Sequence, residues 1–365
     1  MFQKFKGPRV RGLKGLRVKL FLLLALYLFI PLSLLTLATT VSAQAPFYEG
    51  KTVRVVVGYT PGGTNDLWAR VIAQHIGKYI PGTPNFIVQN MPGAGSMVAA
   101  NYLSGVAKPD GLTLGLIAPA LYFDQLVGRK EVQFDWAKFA WIGTPERGDE
   151  MLSMRSDTPY KSVEDIRKAS EPPRCGATGP GTSGYYFPKL LEEALGLRFN
   201  LVLGYPGASE IDLAIEKGEV QCRAGTISAF FGREPGRTWA KTGFVRIIIQ
   251  GGSKRDPRLP DVPTIYELME KQKTSEAMRG LARVLLSPAD IGRPIVGTPG
   301  MPPDRVKILR QAFMKSLTDP ELLAEAKKRG WEASPVSGAE LEAIAKDVIA
   351  QPPEVIERMK KLLGK

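Results

Sequence analysis

The sequence predicts a two-lobed α/β protein, each lobe a mostly parallel sheet flanked by helices. Three observations carry this. Short apolar strands alternate with amphipathic helices along most of the chain. Glycine loops stand between several strands and the helices that follow them, the arrangement that gathers ligand groups at the carboxyl ends of parallel strands. Once an N-terminal leader is set aside, about 320 residues remain, more than one core usually holds.

The leader comes first. Lys4, Lys6, Arg9, Arg11, Lys14, Arg17 and Lys19 precede the first acidic residue, and the 18 residues Leu20 to Leu37 are almost wholly apolar. Val41-Ser42-Ala43 is a small-x-small cleavage pattern, so residues 1–43 read as a signal peptide and the mature chain begins at Gln44. An uncleaved anchor is the competing reading, since 18 residues is near the minimum for a span. Pro31, Ser33 and the cleavage pattern favour export, hence a periplasmic location. Removing the leader removes seven positive and no negative charges, so the formal +13 falls to +6. The remainder has no long Lys/Arg run and no interleaving of basic and aromatic residues, which argues against nucleic acid. A modest positive field favours small anions.

Val53 to Asp66 opens the first lobe. Val53, Val55, Val56 and Val57 suit a strand buried on both faces, and Pro61, Gly62 and Gly63 break it. Thr64, Asn65 and Asp66 are N-cap types, and Leu67, Val71, Ile72 and Ile76 follow at helical spacing. A glycine loop before a helix start presents unpaired N–H groups to anything negative, so the stretch reads as an anion cradle without a cation; a bare strand-to-helix turn is the alternative. Phe86–Gln89, the loop Asn90 to Ser96 and a helix through Leu103 repeat the plan. Pro109-Asp110-Gly111 is a turn, and Leu112–Ile117 a third strand. Trp136, Phe139 and Trp141 look like core.

Near residues 146–149 the chain crosses to a second lobe, placed at 148–251, with the first lobe made of 44–147 and 252–365. Ser162 and Asp165 cap a short helix. Gly179, Gly181 and Gly184 fit G-x-G-x-x-G, but a dinucleotide site needs an acidic residue at the end of the next strand, and Phe199–Leu203 runs instead into Gly204-Tyr205-Pro206. The loop therefore reads as a second anion cradle, with Thr182 and Ser183 adding hydroxyl donors. A helix over Glu210–Lys217, strands at Val220–Ala224 and Val245–Ile249, and C-terminal helices at Asp304–Leu317, Pro320–Arg329 and from Ser337 complete the chain.

One histidine, His75, and two cysteines, Cys175 and Cys222, leave metal sites and histidine-dependent catalysis little to work with. His75 reads as a surface or packing residue. No metal and no cofactor is expected. An exported serine hydrolase using Ser183 or Ser96 lacks a base at either loop.

In order and at matching spacing, the loops resemble the periplasmic substrate-binding proteins of tripartite tricarboxylate transporters, the TctC or Bug type. Tyr59, Gly62, Gly63 and Asp66 stand where that family has an aromatic, a glycine pair and an aspartate. Asn90 and Pro92-Gly93-Ala94-Gly95 follow the second strand, with Ser96 replacing a last glycine; Pro109 to Leu114 and Arg255 to Thr264 complete the pattern. The resemblance covers essentially the whole mature chain. It implies a Venus-flytrap, type II-like periplasmic-binding-protein fold that closes on a small carboxylate and delivers it to membrane permease subunits, as a non-enzymatic monomer. It also implies a ligand set drawn from both glycine loops: Tyr59, Pro61, Gly62, Gly63, Thr64, Asp66 and Asn90 from one lobe, Gly179, Gly181, Thr182, Ser183 and Tyr205 from the other. A ligand-sensing partner of a signalling system would use the same closure. Gln221, Arg223 and Gly225 depart from the family pattern, and the segment from Ala282 to Pro299 is longer than expected. Cys175 and Cys222 are expected on neighbouring strands of the second lobe, since the order 2-1-3 sets that lobe's first and third strands side by side. An oxidising compartment permits a bridge, but buried free thiols are the preferred reading.

Overall fold

The computed structural model describes residues 45–364, together with Met1, Gln3 and Gly7; the leader's apolar run and the Ala43 cleavage site lie outside the described residues. Residues Pro46–Lys365 form one compact unit, distinct from Met1–Ala45. Eleven strands are found among the described residues: β1 (Thr52–Val57), β2 (Asn85–Asn90), β3 (Thr113–Leu116), β4 (Ala140–Thr144), β5 (Glu150–Arg155), β6 (Arg174–Gly176), β7 (Asn200–Val202), β8 (Cys222–Thr226), β9 (Val245–Gln250), β10 (Ile295–Gly297) and β11 (Val336–Ser337). They make two sheets, of order β11-β4-β10-β3-β1-β2 and β7-β6-β8-β5-β9. The two-lobed α/β expectation is met.

Most strands of each sheet run the same way, as expected, four of six in the first and four of five in the second, with antiparallel strands set among them. β1 pairs in parallel with β2 and β3, and β6 with β7 and β8, but β10 is antiparallel to β3 and β4, and β5 to β8 and β9. The reason lies in the route of the chain. β5 follows β4 across from the first sheet, and β10 follows β9 back from the second. A strand arriving from the other sheet enters at the cleft end and must run away from it, against neighbours whose carboxyl ends face the cleft.

The Thr64–Ile76 helix buries Trp68, Val71, Ile72 and Ile76 on the first sheet, and Trp68 stacks on Trp331 with ring centroids 4.5 Å apart. Trp136, Phe139 and Trp141 are buried, as core. In the second lobe the Ser183–Leu195 helix buries Tyr185, Tyr186, Phe187, Leu190 and Leu191. Two late helices, Glu276–Leu286 and Pro353–Leu363, pack against it, and the latter also packs on the first-lobe helix Leu121–Leu126. The carbonyl of Leu363 accepts hydrogen bonds from Arg129 Nη2 at 2.7 Å and from Tyr185 Oη at 3.3 Å.

Cys175 on β6 and Cys222 on β8 are register partners with Cα atoms 4.4 Å apart. The neighbouring-strand expectation is met, and the free-thiol reading is overturned: the two sulfurs form a disulfide. Direct pairing in register supplies the facing geometry that spacing along the chain does not reveal.

Candidate functional site

Between the two sheets lies a cavity of about 110 Å³, several times the space of about 10–15 Å³ that one water needs. Its walls are the loops at the carboxyl ends of β1, β4, β6 and β8. Two helices begin there without side-chain caps. The Thr64–Ile76 helix has Gly63 as its N-cap, and the Ser183–Leu195 helix has Thr182, and neither residue's side chain bonds the first turn. Thr64, Asn65 and Asp66, all N-cap types, fall inside the first helix instead. Both starts therefore leave first-turn amides without side-chain partners, with the positive ends of two helix dipoles toward one space.

The structure divides the expected ligand set. Tyr59, Gly63, Thr64, Thr182 and Ser183 line the cavity; Pro61, Gly62, Asp66, Asn90, Gly179, Gly181 and Tyr205 do not. Asp66 and Asn90 stand behind the first loop and shape it. Asp66 accepts from the Gly62 amide at 2.9 Å, from Arg70 Nε at 2.9 Å and from Asn90 Nδ2 at 2.8 Å, while Asn90 also donates to the Tyr59 carbonyl. Burial alone would raise the Asp66 carboxyl, but these bonds outweigh it and hold it below the ordinary carboxylate range. The Gly62 amide is thus already engaged. Gly179 and Gly181 let the second loop approach the first lobe: a Cβ at Gly179 would come within 2.7 Å of the Gly95 nitrogen, and one at Gly181 within 2.9 Å of Leu121. Thr182 spends its hydroxyl on the Gly179 carbonyl at 2.6 Å, so the expected hydroxyl donor is Ser183 alone. The Tyr205 ring lies against Gly176.

Sequence reasoning missed the charged groups. Arg223, Arg233 and Arg293 line the cavity with Glu146 and Glu150, which overturns the picture of cradles without a cation. Arg293 is buried and bonds from every edge of its guanidinium: Nε to Glu146 at 2.6 Å, Nη1 to Asn65 at 2.8 Å and Nη2 to Thr226 at 3.0 Å. It ties the first helix of one lobe to the end of β8 in the other. Thr60 adds a second tie, donating to Glu210 at 3.0 Å. Arg223 and Arg233 share a single carboxylate, Asp212, so one positive charge is in surplus at that wall. Glu150 accepts from the Tyr186 hydroxyl, and burial, reinforced by Asp149 and Asp290, pushes its carboxyl up to about 8. Arg223 had been visible as a departure from the family pattern. Arg293 sits in the segment Ala282–Pro299 already noted for its length, but nothing local marks it as facing Glu146.

His75 lies elsewhere, with Nδ1 at 3.9 Å from Asp319 and 3.8 Å from Glu321. These three could surround a cation, but the Lys78 ammonium already bonds both carboxylates. The chain's single histidine is therefore engaged away from Ser183.

Two sheets of order 2-1-3, each extended by an antiparallel strand that arrives from the other sheet, with a cavity between them, define the fold of the two-lobed periplasmic binding proteins. Solved structures agree. The periplasmic binding protein BugD superposes with a TM-score of 0.68 at 20% identity, over 86% of this chain and 98% of its own. MatC from Rhodopseudomonas palustris, solved with bound malate, gives 0.66 at 20%, over 84% and 99%. An R. palustris protein solved with adipate gives 0.66 at 21%, over 86% and 97%. In sequence, residues 68–361 match the tripartite tricarboxylate transporter family receptors, TctC, and the chain belongs to that family. A UPF0065 protein from the gbd 5' region of Cupriavidus necator is 28% identical over 330 residues, covering 88% of this chain and 91% of that protein.

Proposed function

We propose that this chain is a periplasmic solute-binding receptor that captures a small carboxylate between its lobes and presents it to the permease subunits of a tripartite transporter, without catalysing a reaction on it. The observation that carries the reading is the meeting of two uncapped helix starts, at Gly63 and Thr182, in one cavity whose Arg223–Asp212–Arg233 wall has one cation in surplus. Related folds solved with malate and adipate support it. The leader at 1–43, cleaved after Ala43, supplies export.

The energetics suffice. A micromolar ligand needs about 8 kcal/mol net. Hydrogen bonds to a charged group contribute roughly 1.5–3 kcal/mol each, so four to six exceed the cost of ordering. The test is a thermal-shift screen of the mature chain against a carboxylate library. A true ligand at 100 times its dissociation constant stabilises by about 2.7 kcal/mol. A folded protein that no small carboxylate stabilises would overturn the reading.

A further inference from the structure

The cavity has two poles. On the β5–β8 ladder Glu150 pairs with Thr226, and Arg223 pairs with Ser153, three positions further along. An odd separation puts Glu150 and Arg223 on opposite faces of the sheet, with about 10 Å of strand between them. Arg223 and Arg233 lie on the face of the Ala208–Glu216 helix, which supplies Asp212; Glu150 lies on the face of the Ser183–Leu195 helix, which supplies Tyr186. One pole is basic and the other acidic.

The acidic pole is short of donors. Glu146 and Glu150 are each 2% exposed and line the cavity. In each, Oε1 is bonded: Glu146 Oε1 by Arg293 and Ser228, Glu150 Oε1 by Tyr186. In each, Oε2 is buried and has no hydrogen-bond partner. Leaving such an acceptor unpaired is costly. At the basic pole the orphan is a donor, Arg233 Nε.

We propose that the ligand is two-ended: one carboxylate at the Arg223–Arg233 pole, and a hydrogen-bond donor, an amide or ammonium nitrogen, at the Glu146–Glu150 pole. This rests on the carboxylate reading above and narrows it. A second carboxylate would bring acceptors to the unpaired Glu146 Oε2, with Asp149 and Asp290 nearby adding negative charge, and only the proton of a neutral Glu150 could meet it. A nitrogen carrying two or more hydrogens supplies the donors that this wall lacks. The high Glu150 carboxyl leaves it neutral at pH 7 in the empty cleft, so an ammonium would draw it into the ionised form and release a proton on binding.

Matched probes decide the matter: succinate against succinamate, and glutarate against glutaramate, each pair differing only in one carboxylate exchanged for a carboxamide. Calorimetry on the wild-type mature chain at pH 7 should show the half-amides binding about tenfold tighter or more. Glu150→Gln, nearly isosteric, should shrink that preference, and Arg223→Lys should weaken both members of a pair alike. Diacids that bind as tightly as the half-amides overturn the two-ended assignment and leave carboxylate capture intact. So does a diacid that shares the Glu150 proton, which shows as affinity falling as pH rises through about 8. If no carboxylate of either kind binds the folded protein, the receptor reading itself fails and this inference with it.

Discussion

Breaking the Cys175–Cys222 bridge removes a covalent tie between the neighbouring strands β6 and β8 of the second lobe. The bridge spans 47 residues. A loop of that size removes about 4 kcal/mol of chain entropy from the unfolded state at 25 °C, on the loop-closure estimate. For a chain of this length that is a fall in melting temperature of roughly 6 °C. Alanine is the right replacement, because both sulfurs are buried and a serine would bury an unpaired hydroxyl. Two comparisons separate the cross-link from the lost sulfur volume. Oxidised against reduced wild type isolates the bond, and Cys175→Ala/Cys222→Ala against reduced wild type isolates the packing. Urea melts at one pH give the free energies, and thiol titration in denaturant without reductant gives the redox state. Two reactive thiols in unreduced protein, or a loss on reduction below about 1 kcal/mol, would refute the bridge or its entropic role.

Arg293→Met should destabilise by about 3–5 kcal/mol, since it strands the buried Glu146; in the Arg293→Met/Glu146→Gln double variant the costs should fall short of additive, read by urea melts as a double-mutant cycle. Gly179→Ala should weaken ligand binding and loosen closure in small-angle scattering, because its Cβ meets the Gly95 backbone at 2.7 Å. The pH profile should carry the mark of the raised carboxyls. A group whose folded value lies above its unfolded one favours the folded state below the unfolded value, so stability from Glu150 falls as pH rises from its ordinary 4.5 to about 8 and is flat beyond. Asp124, raised to about 6 mainly by burial, adds a smaller fall that ends there. Glu150→Gln should abolish the slope between pH 6 and 8, and an unchanged slope would assign it to another group.

The first lobe was legible because its signals are local. Val53 to Val57 announces a buried strand and Pro61 to Gly63 its end, and neither depends on distant partners. The same holds for the helix caps at Ser162 and Ser337, whose side chains accept the predicted amides at Asp165 and Glu340. Strands β10 and β11 were missed because three and two residues carry no periodicity, and only pairing with β3 and β4 makes them strands. The charged wall was missed for a related reason. Arg293 and Glu146 are 147 positions apart in the chain, and Arg233 meets Asp212 only when the loop that follows the Ile227–Phe231 helix folds onto the Ala208–Glu216 helix. Glycine loops announce a cradle by composition, whereas a buried ion pair is a property of the finished contact.

The last turn of the chain holds both halves of the molecule, since Leu363 takes one bond from Arg129 and one from Tyr185. On the proposed closure, a point fastened to both lobes is a pivot, and a pivot is the worst place from which to watch them move. A reporter fused to the C-terminus would register little of the opening and shutting. Ile87, on the edge strand β2, and Leu203, just past the edge strand β7, are 52% and 46% exposed at the outer margins of the two sheets. A dye pair at those two positions would convert occupancy of the cleft into a change of distance, and so turn the receptor into an optical gauge for its own ligand.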